Sequence, residues 1–192
     1  MRSLFALILS TLAMQAVAMP VTWTANGHEY QLVYFQGTWA QADALQTNGW
    51  HLATITSQAE QDFVSSTFAN HRGEFWLGGY QGLQTDSERI NQPDANWHWV
   101  TGEAWNYTNW RINEPNEWRG RLEDHLGIWN NGGGWRWHWN DEHGRSNIRG
   151  YIAERSVPVP AASTLALILL GIAALFLQRR LRLSAARTSA AA

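Results

Sequence analysis

"TWAQADALQTNGWHLATITSQAEQDFV", residues 38–64, decides the fold class. It contains two capping boxes, "TWAQ" (38–41) and "SQAE" (57–60), each a Ser or Thr followed three residues later by Gln or Glu. The first opens an amphipathic stretch running to Gly49 with Ala42 and Leu45 inward. The second runs to about Asn70 with Phe63, Val64 and Phe68 inward. Outside this block the pattern changes to aromatic and β-branched runs set off by Gly, Asn, Asp and Pro. "EYQLVYF" (29–35), "EFWLGGY" (74–80) and "WHWV" (97–100) read as strands. "LGIWNNGGGWRWHWN" (126–140) reads as a hairpin turning through Asn131–Gly134. Trp135, Trp137 and Trp139 then share one face, and the other parity presents Asn140 to solvent. The tryptophan face belongs in the core, because three adjacent exposed indoles are an aggregation hazard. Two helices among many short strands make an α+β domain.

The two ends carry different signals. Residues 1–18 place Arg2 before an apolar run and end in "AVA", the order of a secretory signal cleaved after Ala18. Residues 157–160, "VPVP", form a Pro-rich linker. Residues 161–178 are an apolar segment just long enough to span a bilayer, and 179–192 are a basic tail. Arg179, Arg180 and Arg182 keep that tail cytoplasmic by the positive-inside rule. The segment between, 19–156, has one domain's length. It holds all 16 acidic residues and nine of the 14 arginines, a surplus of seven negative charges, and the chain has no lysine. That balance excludes a nucleic-acid partner, which wants a basic face. Cysteine is absent as well, so packing or a bound ion must do what disulfides do in other exported domains.

Oxygen donors gather in "NEPNEWRGRLEDH" (113–125) and "WND" (139–141). Glu114, Asn116, Glu123, Asn140 and Asp141 offer five side chains of the kind calcium takes among its six to eight ligands. A cis Glu114–Pro115 bond would let Glu114 and Asn116 point to one spot. Spacing alone leaves two readings open, a solvated acidic loop or a calcium site.

Together with these pieces, "FWLGG", "WVTGEAWNYTNW", "EPN", "ED", "WND" and "YIAE", in that order, make the region from Trp23 to Glu154 resemble a C-type lectin domain. The resemblance implies two helices, two small antiparallel sheets and a long loop region that binds calcium and ligand. It carries the roles of calcium ligand to Glu114, Asn116, Glu123, Asn140 and Asp141, with Glu114, Asn116, Glu123 and Asn140 also meeting sugar. Trp118, in the loop between the halves of the site, is expected to pack on the sugar's apolar face. Glu117 and Asp124 fit a second calcium site. The order Glu-Pro-Asn is associated in that family with mannose, glucose or fucose. "QPD" (92–94), the galactose-type order, precedes "WVTG" and is expected to lie outside the site. Family cysteines are missing: His125 and Ala153 stand where two are usual. Each disulfide forgone typically costs about 2–4 kcal/mol.

The C-terminal Pro-x-Pro, apolar run and arginines resemble a PEP-CTERM sorting signal, with Val159 where Glu is usual. That implies export to a bacterial envelope, a membrane anchor and processing by an exosortase. The expected partner is carbohydrate, an exopolysaccharide or cell-surface glycan. The rival is a lectin-like fold used as a structural or protein-binding module of the matrix without sugar. No Gly-x-Ser-x-Gly, phosphate loop or cysteine nucleophile points to an enzyme, and no histidine pair has the His-Glu-x-x-His spacing of a zinc helix.

Overall fold

A computed structural model of the chain describes residues 18–133, 136–146, 148–157 and 172. Trp135, the signal segment up to residue 17, and nearly all of the linker, anchor and basic tail lie outside the described residues. The chain divides into two units after Val157, and the first is the domain considered below. Among the described residues, no helix is long and apolar enough to cross a membrane.

The strands are β1 (Val21–Trp23), β2 (His28–Gly37), β3 (His51–Leu52), β4 (Gly73–Gln81), β5 (Trp97–Trp99), β6 (His125–Asn130), β7 (Arg136–Glu142) and β8 (Ile148–Ser156). They run in the order β1-β2-β8-β4-β6-β7, with β3 on β8 and β5 on β4. The two antiparallel sheets expected from the resemblance are the two halves of this order. A short parallel contact, Phe75 to Gly150 and Trp76 to Tyr151, joins them. The expected 126–140 hairpin is β6–β7, antiparallel from His125↔Glu142 to Asn130↔Arg136. A bulge at Trp137, whose φ is 60°, interrupts it without changing the alternation. Trp137, Trp139 and Asp141 are buried on one face, while His138, Asn140 and Glu142 are half-buried on the other.

Among the described residues of the domain there are three α-helices: α1 (Trp39–Ala44), α2 (Gln58–Thr67) and α3 (Asp86–Asn91). The Thr38 capping box forms in full with Gln41. Ser57 caps α2 through the Glu60 N–H, but the Glu60 carboxylate does not turn back to Ser57. It accepts instead from the Thr56 N–H (2.7 Å) and hydroxyl (3.0 Å) and meets the Tyr30 hydroxyl. Burial takes precedence over capping there, because an interior carboxylate needs several donors. α1 stops five residues short of Gly49, so Leu45, expected inward, caps the helix and is 43% exposed. α3 lies in the stretch 83–96, "LQTDSERINQPDAN", and is opened by a full capping box, Thr85 with Glu88.

The larger core gathers Tyr30, Leu32, Val64, Phe68, Phe75, Leu126, Ile128 and Ile152 around tryptophans from β5 and β7. Trp99 and Trp105 rings sit 4.5 Å apart, Trp97 and Trp110 5.0 Å, and Trp99 meets Trp139 edge-on at 5.6 Å. Edge-to-face and offset pairs of this kind stabilise beyond their buried area, by about 0.5–1.5 kcal/mol each. Gln61 on α2 accepts from the Trp139 indole (2.9 Å) and donates to the Trp137 carbonyl (3.0 Å), fixing α2 to β7. A second core, with Val33, Ala42, Leu52, Trp76, Tyr151 and Ala153, fills the side under α1.

Candidate functional site

β7 is an edge strand, and the long segment after β5 runs beside it. Trp139 donates its N–H to the Asn109 carbonyl (2.9 Å), Arg111 donates to the Trp139 carbonyl (3.1 Å), and the Asn109 amide reaches the Trp137 carbonyl (2.9 Å). Pinned at Asn109–Arg111, the chain delivers Glu114 and Asn116 to the end of β7. The Glu114–Pro115 peptide is cis, and the Asn116 amide meets the Glu114 carboxylate.

Asp141 is the hub. Its Oδ2 accepts the backbone N–H groups of Asn116 and Glu117, each at 2.9 Å. Glu117 has φ 48° and Arg119 φ 58°, left-handed conformations that cost non-glycine residues roughly 1–2 kcal/mol. Acidic side chains hold them in place. Besides Asp141, Glu123 accepts the Trp118 N–H at 2.6 Å, and Glu117 accepts the Glu123 N–H at 2.8 Å. Asp141 is 1% exposed, and among the described residues its second oxygen, Oδ1, is buried with no N–H donor, the Glu114 carboxyl being the side chain in hydrogen-bonding contact with Asp141. A buried carboxylate oxygen without a donor is costly unless a cation serves it.

Electrostatics repeat the point. Burial and the neighbouring Asp141 push the Glu114 carboxyl up to about 7. Burial raises Glu123 to about 8 against the Trp118 N–H, with Asp141, Glu142 and Glu117 adding to the rise. Asp141 is raised by burial even though backbone N–H groups oppose it. Three carboxyls that resist ionisation together form a place where a divalent cation would be welcome. The oxygens fit that use. Glu114, Glu123 and Asp141 supply charge, and the Asn116 and Asn140 amide carbonyls supply neutral oxygen.

Asn140 lies on the face of β7 opposite Asp141. Its amide N–H groups go to Glu74 (3.1 Å) and Glu142 (3.3 Å), which leaves its carbonyl oxygen uncommitted among the described residues. Glu74 and Glu142 are acids that reading the sequence did not pick out. Glu74 is lifted to about 8 by burial and Glu142. Glu142 directly follows Asp141 and could have been found there; Glu74, inside a strand, carries no local signal.

Trp118 is 56% exposed, with the Arg119 guanidinium 5.2 Å from its ring centroid, and Ile112 nearby in the chain is 77% exposed. Glu117 and Asp124, paired in the expectation of a second calcium site, face different partners. Glu117 holds the Glu123 N–H, whereas Asp124 meets His125 at 2.6 Å. "QPD" serves the fold: Gln92 caps α3, and the Pro93 carbonyl takes the Gln81 amide and the Trp97 indole.

A second donor set lies in the interior. His28, Glu60 and Glu154 bring ligand atoms within 4.8 Å of one another. Those acids already have protein donors, Tyr30, Thr54 and Thr56. The group therefore ties α2 to β2 and β8. Glu114, Glu123 and Asp141 do not draw together that closely.

The strand order, helices α1 and α2 and the loop beside the edge strand define a C-type lectin-like fold. No protein-family model matches the chain. The carbohydrate-recognition domain of the mouse scavenger receptor C-type lectin superposes with a TM-score of 0.58 at 21% identity, over 72% of this chain and 96% of that one. In sequence, asialoglycoprotein receptor 2 of Mus musculus is 34% identical over 132 residues, 64% of this chain and 37% of the receptor. Lectin BRA-3 of Megabalanus rosa is 38% identical over 98 residues, 48% of this chain and 52% of that lectin. The chain thus spans about a third of the receptor's length and about half that of lectin BRA-3.

Proposed function

We propose that the domain binds carbohydrate through a calcium ion held by Glu114, Asn116, Glu123, Asn140 and Asp141, and that it works outside the cytoplasm. The observation that carries the reading is Asp141, with one oxygen stapling the loop and the other buried, among the described residues, with no N–H donor and with the raised Glu114 carboxyl beside it. Bound there, calcium supplies coordination positions for two neighbouring sugar hydroxyls. The protein's own groups do the rest. A carboxylate that gives one oxygen to the ion keeps another to accept a hydroxyl proton, and an amide that gives its carbonyl keeps its NH2 to donate. Glu114 and Asn116 thus set an acceptor beside a donor. The order Glu-Pro-Asn supports a preference for sugars of the mannose, glucose or fucose type. Trp118, exposed beside the acids, supplies an apolar face at little entropic cost.

The similarity to lectins supports carbohydrate as the partner, and an exopolysaccharide or cell-surface glycan suits the setting. The apolar segments at 1–18 and 161–178 support export and at least transient anchoring in a bacterial envelope. Isothermal titration of methyl α-mannoside into the purified protein, with calcium and then with chelator, tests the core of this reading. Heat of binding in calcium alone supports it. Calcium binding without any sugar on a broad glycan array transfers the domain to protein contacts or matrix structure.

A further inference from the structure

A cleft of about 710 Å³ opens on the side of the sheet away from the tryptophan core, between α1, the start of β3 and β4. It shares none of the five proposed calcium ligands, and its size falls within the roughly 300–1,000 Å³ of small-molecule sites. We propose that this cleft is a second, calcium-independent site for a neutral sugar ring, with Trp50 and Tyr80 as stacking faces and Asp43 as acceptor for its hydroxyls.

The cleft is built from fixed parts. The Trp39 indole donates to the Leu77 carbonyl at 2.8 Å, and its ring lies 6.0 Å from Tyr80 and 4.5 Å from His125. Trp50 is held by the Arg155 guanidinium, 4.5 Å from its ring centroid, and Arg155 is itself paired with Glu29 at 2.6 Å. Aromatic rings that do not have to reorganise lose little entropy on binding. Asp43 on α1 is half-buried in this cleft, yet its carboxylate forms no hydrogen bond or ion pair with a described residue. Burial raises its pKa, with His125 opposing. An acceptor that is partly desolvated and uncommitted gains most from a ligand that brings hydroxyl protons.

The mixture of groups selects the ligand. A pyranose has an apolar C–H face and a hydroxyl rim, matching flat rings beside a carboxylate and two imidazoles, His51 and His125. An organic cation would also be drawn to aromatic faces and Asp43. A quaternary head would make no hydrogen bond to either imidazole. The neutral sugar therefore accounts for more of the cleft.

The test uses the full-length protein in chelator, so that the site at Asp141 is silent. Cellotriose and α-mannotriose are titrated while the indole N–H resonances are followed by NMR. One trisaccharide should move a small group of resonances, including the one missing from a Trp50→Phe variant. Trp50→Ala should weaken that binding about tenfold and Asp43→Asn about fivefold, while Glu114→Gln leaves it unchanged. Asp43→Asn keeps side-chain size on an already folded helix, so its result stands even if Trp50→Ala fails to fold. The proposal is overturned if neither trisaccharide moves any indole at millimolar concentration, or if Asp43→Asn binds as the parent does. Choline chloride moving these resonances while both sugars fail would make the cleft a cation site and overturn it equally.

Discussion

Asp141 at the end of β7 and Glu117 in the long loop are joined at 2.9 Å, carboxylate oxygen to backbone N–H, across 24 positions of sequence. The bond holds Glu117 in a left-handed conformation and fixes the loop to the sheet edge. One acid thus has a part in both the fold and the proposed binding chemistry. Asp141→Ala should cost about 2–3 kcal/mol, from two hydrogen bonds to a charged acceptor offset by relief of repulsion. Urea unfolding measures the loss. A variant as stable as the parent would show that the loop is held elsewhere.

Removing calcium should cost stability and sugar binding together. A hundredfold excess of free ion over its dissociation constant contributes about 2.7 kcal/mol. For a domain of this size that is roughly 10 °C in melting temperature. Thermal unfolding with and without chelator reads it directly, and identical curves would remove calcium from the account.

The raised carboxyls set the pH dependence of the metal-free protein. Glu114 and Glu123 release their protons near 4.5 when unfolded, but burial in the folded protein pushes them up to about 7 and about 8. Between those values the folded state holds more protons, so stability falls as pH rises from about 4.5 towards 8. Calcium affinity runs the other way, because the ligands must lose protons to bind. Melting temperatures across this range should decline in chelator and flatten or rise in excess calcium. A metal-free protein that gains stability over pH 5–8 contradicts the assignment.

Glu114→Gln combined with Asn116→Asp keeps both oxygens and exchanges the free donor and acceptor. Calcium binding should survive within about tenfold, and preference should move from mannose-type to galactose-type sugars. Paired titrations with methyl α-mannoside and methyl β-galactoside check it. Unchanged preference would mean that other groups select the sugar.

Trp118→Ala should lower sugar affinity about fivefold, yet change stability by less than about 0.5 kcal/mol, as for most exposed positions. Stability lost with affinity retained would make Trp118 a structural residue of the loop.

The contrast between what the sequence reveals and what it hides is physical. Ala42, Val64, Phe68, Trp137 and Trp139 were legible because period and burial coincide at those positions. Leu45 was not, since α1 ends one residue before it could turn inward. The Thr85–Glu88 box is written in the sequence, but α3 is short and the polar stretch around it reads as loop on composition. At the site, a family resemblance marked Glu114, Asn116 and Asp141. Glu74 was invisible because only the β4–β6–β7 register brings it to Asn140.

The short parallel seam between the halves of the sheet has a mechanical meaning. Val157 leaves the domain beside Gly27, donating to its carbonyl at 3.1 Å, in the β1-β2-β8 half. Glu114, Asn116 and Asp141 gather at β7, the far edge of the other half. A tether beyond Val157 and a ligand caught at β7 would pull across the strands, and that load crosses from β8 to β4 at Phe75–Gly150 and Trp76–Tyr151. The shared aromatic core resists the same pull, since Tyr30 and Ile152 from one half pack in a single cluster with Trp97 and Trp139 from the other. With only two paired positions at the seam, that core would carry most of the load between the halves.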